Sequence, residues 1–223
     1  MQTKRKKVLF LIESLDGGGA EKVLSTLVHH VDRARFEVTV CCIQDVGVYV
    51  PQVKAWAEHY TALVPDVAGL RGWCRFWYKK KRLLIHKWLP GSWAYRLFVP
   101  HGFDVEVAFL EGCPTRLLGQ APHRRNVSRL AWIHTDLEAM PSLSVWFSNK
   151  RREAAALNRF NAVVCVSNSA AAVLRRIYHL SALLVTVYNP IDVDDIPDQG
   201  RRARESAAAH RRHSFGELRA LCP

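Results

Sequence analysis

The chain has no Cys-x-x-Cys pair, no apolar run near the length of a membrane span, and neither common glycine-rich nucleotide fingerprint. Each absence excludes a class. The six cysteines (Cys41, Cys42, Cys74, Cys113, Cys165, Cys222) are scattered, so neither a disulfide framework nor a zinc motif is expected. They read as small apolar residues in a reducing compartment. Spanning a bilayer takes roughly 20 apolar residues, which no segment offers. The basic start, Lys4 to Lys7, precedes an apolar run of only five residues before Glu13 and Asp16, too short for the core of a secretory signal. The expected location is the cytoplasm. Acid is also scarce: 20 Asp and Glu face 32 Lys and Arg, for a net charge of +12. Such an excess favours nucleotides, acidic lipid or nucleic acid as partners. No nucleic-acid recognition motif accompanies the charge, so nucleic acid is not an expected partner.

What is present begins at residue 8. Val8 to Ile12 is apolar without alternation, as in a strand buried on both faces of a parallel sheet. Gly17, Gly18 and Gly19 follow, residues that permit positive φ and close approach of a ligand to the backbone. From Ala20, the residues Val23, Leu24, Leu27, Val28 and Val31 keep helical spacing. The free N–H groups of that helix start would favour a phosphate or carboxylate. The loop is not a Walker A loop, because no Gly-Lys-Ser/Thr follows. Ala20, Glu21 and Lys22 stand where a third spaced glycine of the dinucleotide fingerprint would fall.

Strands and helices then alternate. Strands are expected at Phe36–Ile43, 60–64, Asp104–Leu110, Ser128–Ile133, Ala162–Val166 and Leu183–Tyr188. Helices are expected over Val50–His59, about 143–160, and from Asn168 through Tyr178, the last capped within Ser167–Ser169. Residues 111–114 read as a loop. Repeated βα units predict an α/β fold with a doubly wound, Rossmann-like parallel sheet. Ligands of such sheets sit at the carboxyl ends of strands, and four polar clusters fall there: Gly17–Gly19, Glu111, His134–Asp136 and Ser167–Ser169.

Residues 71–99 differ from the rest. Trp73, Phe76, Trp77, Leu84 and Trp88 share one side of a helical wheel, with Lys80, Lys81 and Lys87 beside them, and Pro90-Gly91 ends the helix. An aromatic stripe with basic flanks suits a surface helix lying on anionic lipid. The competing reading is an ordinary amphipathic helix that packs its tryptophans into the domain.

The order of Gly-Gly-Ala-Glu (18–21), Trp-Ile-His-Thr-Asp (132–136), Val-Cys-Val-Ser-Asn-Ser (164–169) and Val-Tyr-Asn-Pro-Ile-Asp (187–192) resembles the N-terminal half of family 4 retaining glycosyltransferases, of GT-B fold. Phe103–Gly112 and the basic stretch near 79–90 resemble the capsular and exopolysaccharide subgroup. The resemblance covers about residues 5–196. It implies an N-terminal, mostly acceptor-side domain over 1–196, facing across a cleft a C-terminal domain that binds most of the nucleotide-sugar donor. It implies that Gly17, Gly18 and Gly19 lie near the donor diphosphate and acceptor, and that His134 is the active-site histidine beside the transferred sugar. Imidazole suits that place, since it hydrogen-bonds a hydroxyl and can be tuned near neutral pH. Glu111, Thr135 and Asp136 are implied acceptor contacts, and Asn189-Pro190 the hinge between domains. The implied partners are a nucleotide-sugar and a glycan or lipid-linked acceptor, with an anionic membrane surface on the inner face of the plasma membrane. No cofactor and no metal are expected.

The tail departs from the family pattern. The cationic pair that clamps the diphosphate and the Glu-x7-Glu motif of the donor domain do not occur after Asp195. Residues 197–223 carry six arginines among Ala, His and Ser, with little periodicity. The expectation is a basic tail, disordered or non-native, on a truncated enzyme whose 223-residue chain has negligible transferase activity alone. Detectable sugar transfer by the purified chain would overturn that expectation. Another class also fits the residues: a non-catalytic anion- or membrane-binding module that keeps the fold. A nicotinamide oxidoreductase is disfavoured by the glycine spacing and by Asp45, which lies farther from Gly17 than the ~20 positions usual for the ribose-binding acid.

Overall fold

The structure is a computed structural model that describes residues 4–135, 137–138 and 146–190. Seven parallel strands form one sheet: β1 (Lys6–Ile12), β2 (Phe36–Gln44), β3 (His59–Val64), β4 (Val105–Ala108), β5 (Ser128–Ile133), β6 (Ala162–Cys165) and β7 (Leu183–Thr186). Their spatial order is β3-β2-β1-β4-β5-β6-β7, with every neighbouring pair parallel. This is the doubly wound order, whose direction of winding reverses between β1 and β4. Residues just after β1, β4 and β5 come together at the carboxyl ends of the strands beside that point, where sheets of this kind bind ligands.

Helices cover both faces, which is why the strands read as continuous apolar runs. Val8, Ile12, Val38, Val40, Val105 and Trp132 pack toward α1 (Gly19–His30) and α2 (Val50–Trp56). Leu9, Leu11, Cys41, Ala108 and Ile133 point to the other face. That face packs α4 (Gly91–Phe98), α5 (Cys113–Gln120), α6 (Lys150–Leu157) and α7 (Asn168–Ile177). Helix α3 (Gly72–Leu83) runs directly into a π-helix, Leu84–Trp88. Four cysteines, Cys41, Cys42, Cys113 and Cys165, are buried and free, while Cys74 is exposed.

Most strand positions match expectation within two residues, and the helices differ more. Residues 111–114 are not simply a loop, because α5 begins at Cys113 with Pro114 in its first turn. Every residue of α5 except Gln120 is buried, Thr115 and Arg116 included, so its polar residues do not mark a solvent face. Gly119 lets it approach α6 closely: a Cβ there would lie 3.0 Å from Ala156. Helix α4 was likewise not visible in the sequence pattern. Helix α6 starts at Lys150 rather than near 143, with Asn149 Oδ1 accepting from Arg152 N. Residues 139–145 lie outside the described residues, as do the tail 191–223 and its expected character.

Candidate functional site

The glycine turn follows β1 and opens α1. Only Gly17 of the three has positive φ, 121°. Gly18 is the helix N-cap in extended conformation (φ −73°, ψ 171°), and no side chain satisfies the first N–H groups there. The expectation of a turn built on glycine geometry therefore narrows to Gly17. The other two act through their missing side chains. A Cβ on Gly18 would meet the Glu21 carboxylate at 2.4 Å, whereas one on Gly19 would meet nothing within 4 Å. Residues 17–19 are exposed, so the helix start is open to a ligand. Glu21, in the first turn, is favoured there by the helix dipole and must swing aside for an incoming anion.

His134 follows β5, across β4 from the glycine turn. Two strand spacings separate β1 from β5, roughly 10 Å. The imidazole turns to the α1 side of the sheet, 4.8 Å from the Phe109 ring and near-parallel to Trp132 at 6.0 Å. Both ring nitrogens are shielded from solvent and have no hydrogen-bond partner among the described residues. This burial pushes the pKa down to about 4, so the ring is neutral at physiological pH. A neutral imidazole can donate from one nitrogen and accept at the other.

The depressed value has a consequence for stability. Between the unfolded 6.5 and the folded value of about 4, the unfolded chain binds the extra proton. Stability is therefore complete above the unfolded pKa and falls as pH drops through that window. Urea unfolding at pH 7 and pH 5 should differ by about 2 kcal/mol more in the parent chain than in His134→Asn. Equal pH dependence of the two would show that burial does not hold the ring neutral.

Glu111 lies just beyond β4 and is buried. Its Oε1 accepts from His134 N (2.5 Å), Thr135 N (2.6 Å) and Thr135 Oγ1 (3.0 Å). Burial raises its carboxyl pKa, while those donors pull the other way. The contacts make Glu111 a positioning residue that holds the turn carrying His134. Sequence reasoning grouped Glu111 with His134 but did not find this connection, since the two are on different strands. Asp136 lies outside the described residues.

Ser167 is the N-cap of α7, its Oγ accepting from Ala170 N at 3.1 Å. Asn189 and Pro190 follow β7, and Asn189 Oδ1 is shielded without a hydrogen-bond partner among the described residues. The aromatic stripe is not packed into the domain. Trp73, Trp77 and Trp88 are 76%, 64% and 58% exposed, and α3 contributes no buried residue. Lys80 Nζ bridges the Phe76 and Trp88 rings at 5.5 and 5.0 Å, and Lys81 Nζ lies 5.2 Å from the Phe98 ring. Among the described residues no helix is long and apolar enough to cross a membrane.

The open helix start at the switch point can receive an anion, while the shielded His134 ring meets a hydroxyl-bearing group only after turning out from Phe109 and Trp132. Known proteins share the framework. Anabaena HepE, solved in complex with UDP-glucose, superposes with a TM-score of 0.56 at 16% identity, over 92% of this chain and 50% of that one. HepE solved with UDP and glucose gives 0.57 at 17% identity, over 92% and 51%. This chain thus spans about half the length of those structures. No curated protein sequence gives a significant match. The profile of Glycosyltransferase Family 4 matches residues 17–195, most of the chain. With the parallel sheet of an N-terminal GT-B domain and that match, the chain belongs to glycosyltransferase family 4.

Proposed function

We propose that this domain forms the acceptor-side wall of a retaining sugar-transfer site that takes a nucleotide-sugar donor, in the synthesis of cell-surface polysaccharide. The observation that carries it is the placing of two features on either side of β4 at the switch point: an exposed helix start after β1 with no capping side chain, and a neutral histidine after β5. The donor class rests on analogy with HepE, whose structures contain UDP-glucose, or UDP and glucose. Retaining transfer builds negative charge on the departing diphosphate, and its stabilisation is chiefly electrostatic. The N–H groups of Gly18 and Gly19 would face that charge. His134, once its ring turns out from the Phe109 and Trp132 contacts that shield its nitrogens, would hydrogen-bond a hydroxyl of the transferred sugar, with Glu111 fixing its backbone. Thr135 and Asp136 would contact the acceptor, and Asn189-Pro190 would act as the hinge.

Titration of the full chain with UDP-glucose, followed by amide NMR, tests this reading. Weak binding, with Kd of about 1 mM, should shift the Gly18, Gly19 and His134 amides together. Shifts confined to other residues, or none at donor concentrations well above that Kd, would overturn it.

A second reading concerns the segment from α3 through α4, which would rest on an anionic membrane surface at the cytoplasmic face. No Asp or Glu occurs between Asp66 and Asp104, while Arg71, Arg75, Lys79, Lys80, Lys81, Arg82, Lys87 and Arg96 do. Exposed tryptophans among unopposed cations match the interface of acidic lipid. In flotation with phosphatidylglycerol-containing vesicles, Trp77→Ser with Lys80→Glu should weaken binding about tenfold or more. Unchanged flotation would remove the lipid-facing role.

A further inference from the structure

We propose that Glu13, His86 and Cys113 form a zinc-binding site that fastens the π-helix to the carboxyl edge of the sheet. The proposal goes beyond sugar transfer and does not depend on it. Glu13 directly follows β1, Cys113 opens α5 just after β4, and His86 sits in the π-helix. Their ligand atoms, one from each side chain, all lie within 4.8 Å of one another. A tetrahedral zinc with bonds of 2.0–2.3 Å places its ligands about 3.5 Å apart, so shifts of about 1 Å complete the geometry.

Two polar atoms at this spot have no other use. Glu13 Oε2 and His86 Nε2 are shielded from solvent and have no hydrogen-bond partner among the described residues. His86 Nε2 is 3.2 Å from Glu13 Oε1, an ion pair only if the imidazole is protonated. Such a pair would leave Glu13 Oε2 idle, whereas one divalent ion engages all three side chains. Carboxylate, imidazole and thiolate together favour zinc over magnesium or calcium.

A supporting layer holds the ligands in place, as metal sites require. Gln44 Nε2 donates to Glu13 Oε1 at 2.8 Å, and Arg82 Nη1 donates to Gln44 Oε1 at 3.1 Å. The Trp146 ring packs edge-on against His86 at 5.0 Å. Arg116 donates to the carbonyls of Ile85 and Leu89, tying both ends of the π-helix to α5. Three protein ligands leave a fourth position for water. Binding exchanges the thiol proton for the metal: Zn²⁺ and Cys113 Sγ–H give Zn–S and one released H⁺.

The sequence alone offers a rival thiol in the tail, Cys222 near His210 and His213, and an exposed one at Cys74. The test therefore uses the full chain carrying Cys74→Ser and Cys222→Ser, stripped by chelator and titrated with Zn²⁺ and Co²⁺. The expected result is one equivalent of zinc with Kd of about 1 μM or tighter, and a thiolate-to-cobalt charge-transfer band. Adding Cys113→Ser should abolish the band and weaken zinc about 100-fold. If that variant does not fold by circular dichroism, His86→Gln in the same background replaces it, with zinc affinity falling at least about tenfold. No zinc bound to the double variant, a band that survives Cys113→Ser, or affinity unchanged in a folded His86→Gln would each overturn the site.

Discussion

Gly47→Ala should cost about 4 kcal/mol or more of folding stability, far beyond an ordinary surface substitution. Gly47 has φ +131°, a conformation that L side chains rarely adopt. An added Cβ would lie 1.9 Å from both the carbonyl carbon and oxygen of Leu15, and 2.4 Å from Asp16 N. These are backbone atoms, so no rotamer change relieves the overlap. The same backbone is tightly held: Leu15 N donates to Val46 O at 2.9 Å, and Tyr49 N donates to Leu15 O at 3.2 Å. To accept alanine the chain must break those bonds and move the segment that leads into Gly17. The urea midpoint should drop sharply, and any residual folded protein should lose the amide shifts at Gly18 and Gly19. A loss below about 1 kcal/mol would show that the loop repacks freely. Gly19→Ala is the contrast, because its Cβ would meet nothing.

Glu106→Ala should cost about 3–5 kcal/mol, because it strands a buried cation. Glu106 is fully buried in β4. Its Oε2 accepts from Arg129 Nε at 2.8 Å, and its Oε1 from Tyr95 OH at 2.6 Å. Arg129 Nη1 also reaches Pro122 O at 2.9 Å, and the guanidinium lies over the Tyr95 ring. The pair thereby links β4, β5 and α4. Removing the carboxylate leaves the guanidinium and the Tyr95 hydroxyl without their main acceptor in a dry interior. The double variant Glu106→Leu, Arg129→Met should lose less than the single one, since no charge is stranded. Denaturant unfolding of the three proteins measures this. A double variant that is less stable than Glu106→Ala would mean the ion pair contributes net stability here.

These effects show where local sequence stops being informative. Glu106 sits within Asp104–Leu110, which reads as a strand, but nothing in that run indicates that its acid is buried against Arg129. Gly47 looks like any turn glycine, and its necessity comes from the Leu15 backbone 32 positions earlier. Helix α5 went unseen because its polar residues Thr115 and Arg116 pair with the carbonyls of Leu110, Ile85 and Leu89 inside the fold, which no local pattern shows. By contrast, the cap at Ser167 was legible, since capping depends on residues only three apart. The glycine turn was legible for the same reason, although Gly17 alone carries the positive φ.

By itself the sequence determined the α/β class, the strand positions, the turn at Gly17–Gly19 and the candidacy of His134. The class, the strands and the turn follow from spacing within one or two elements, where backbone geometry imposes periods of 2 and 3.6, whereas the candidacy of His134 came from the resemblance of residues 132–136 to the family motif. Only the tertiary structure decided which polar groups meet. Crossover connections bring the ends of β1, β4 and β5 together, so Glu111 holds the backbone of residues 134–135 and Glu13 joins His86 and Cys113. Burial then sets their chemistry, keeping the His134 ring neutral by denying it water. Neither adjacency across a sheet nor desolvation is written in local spacing, because both depend on how distant segments pack.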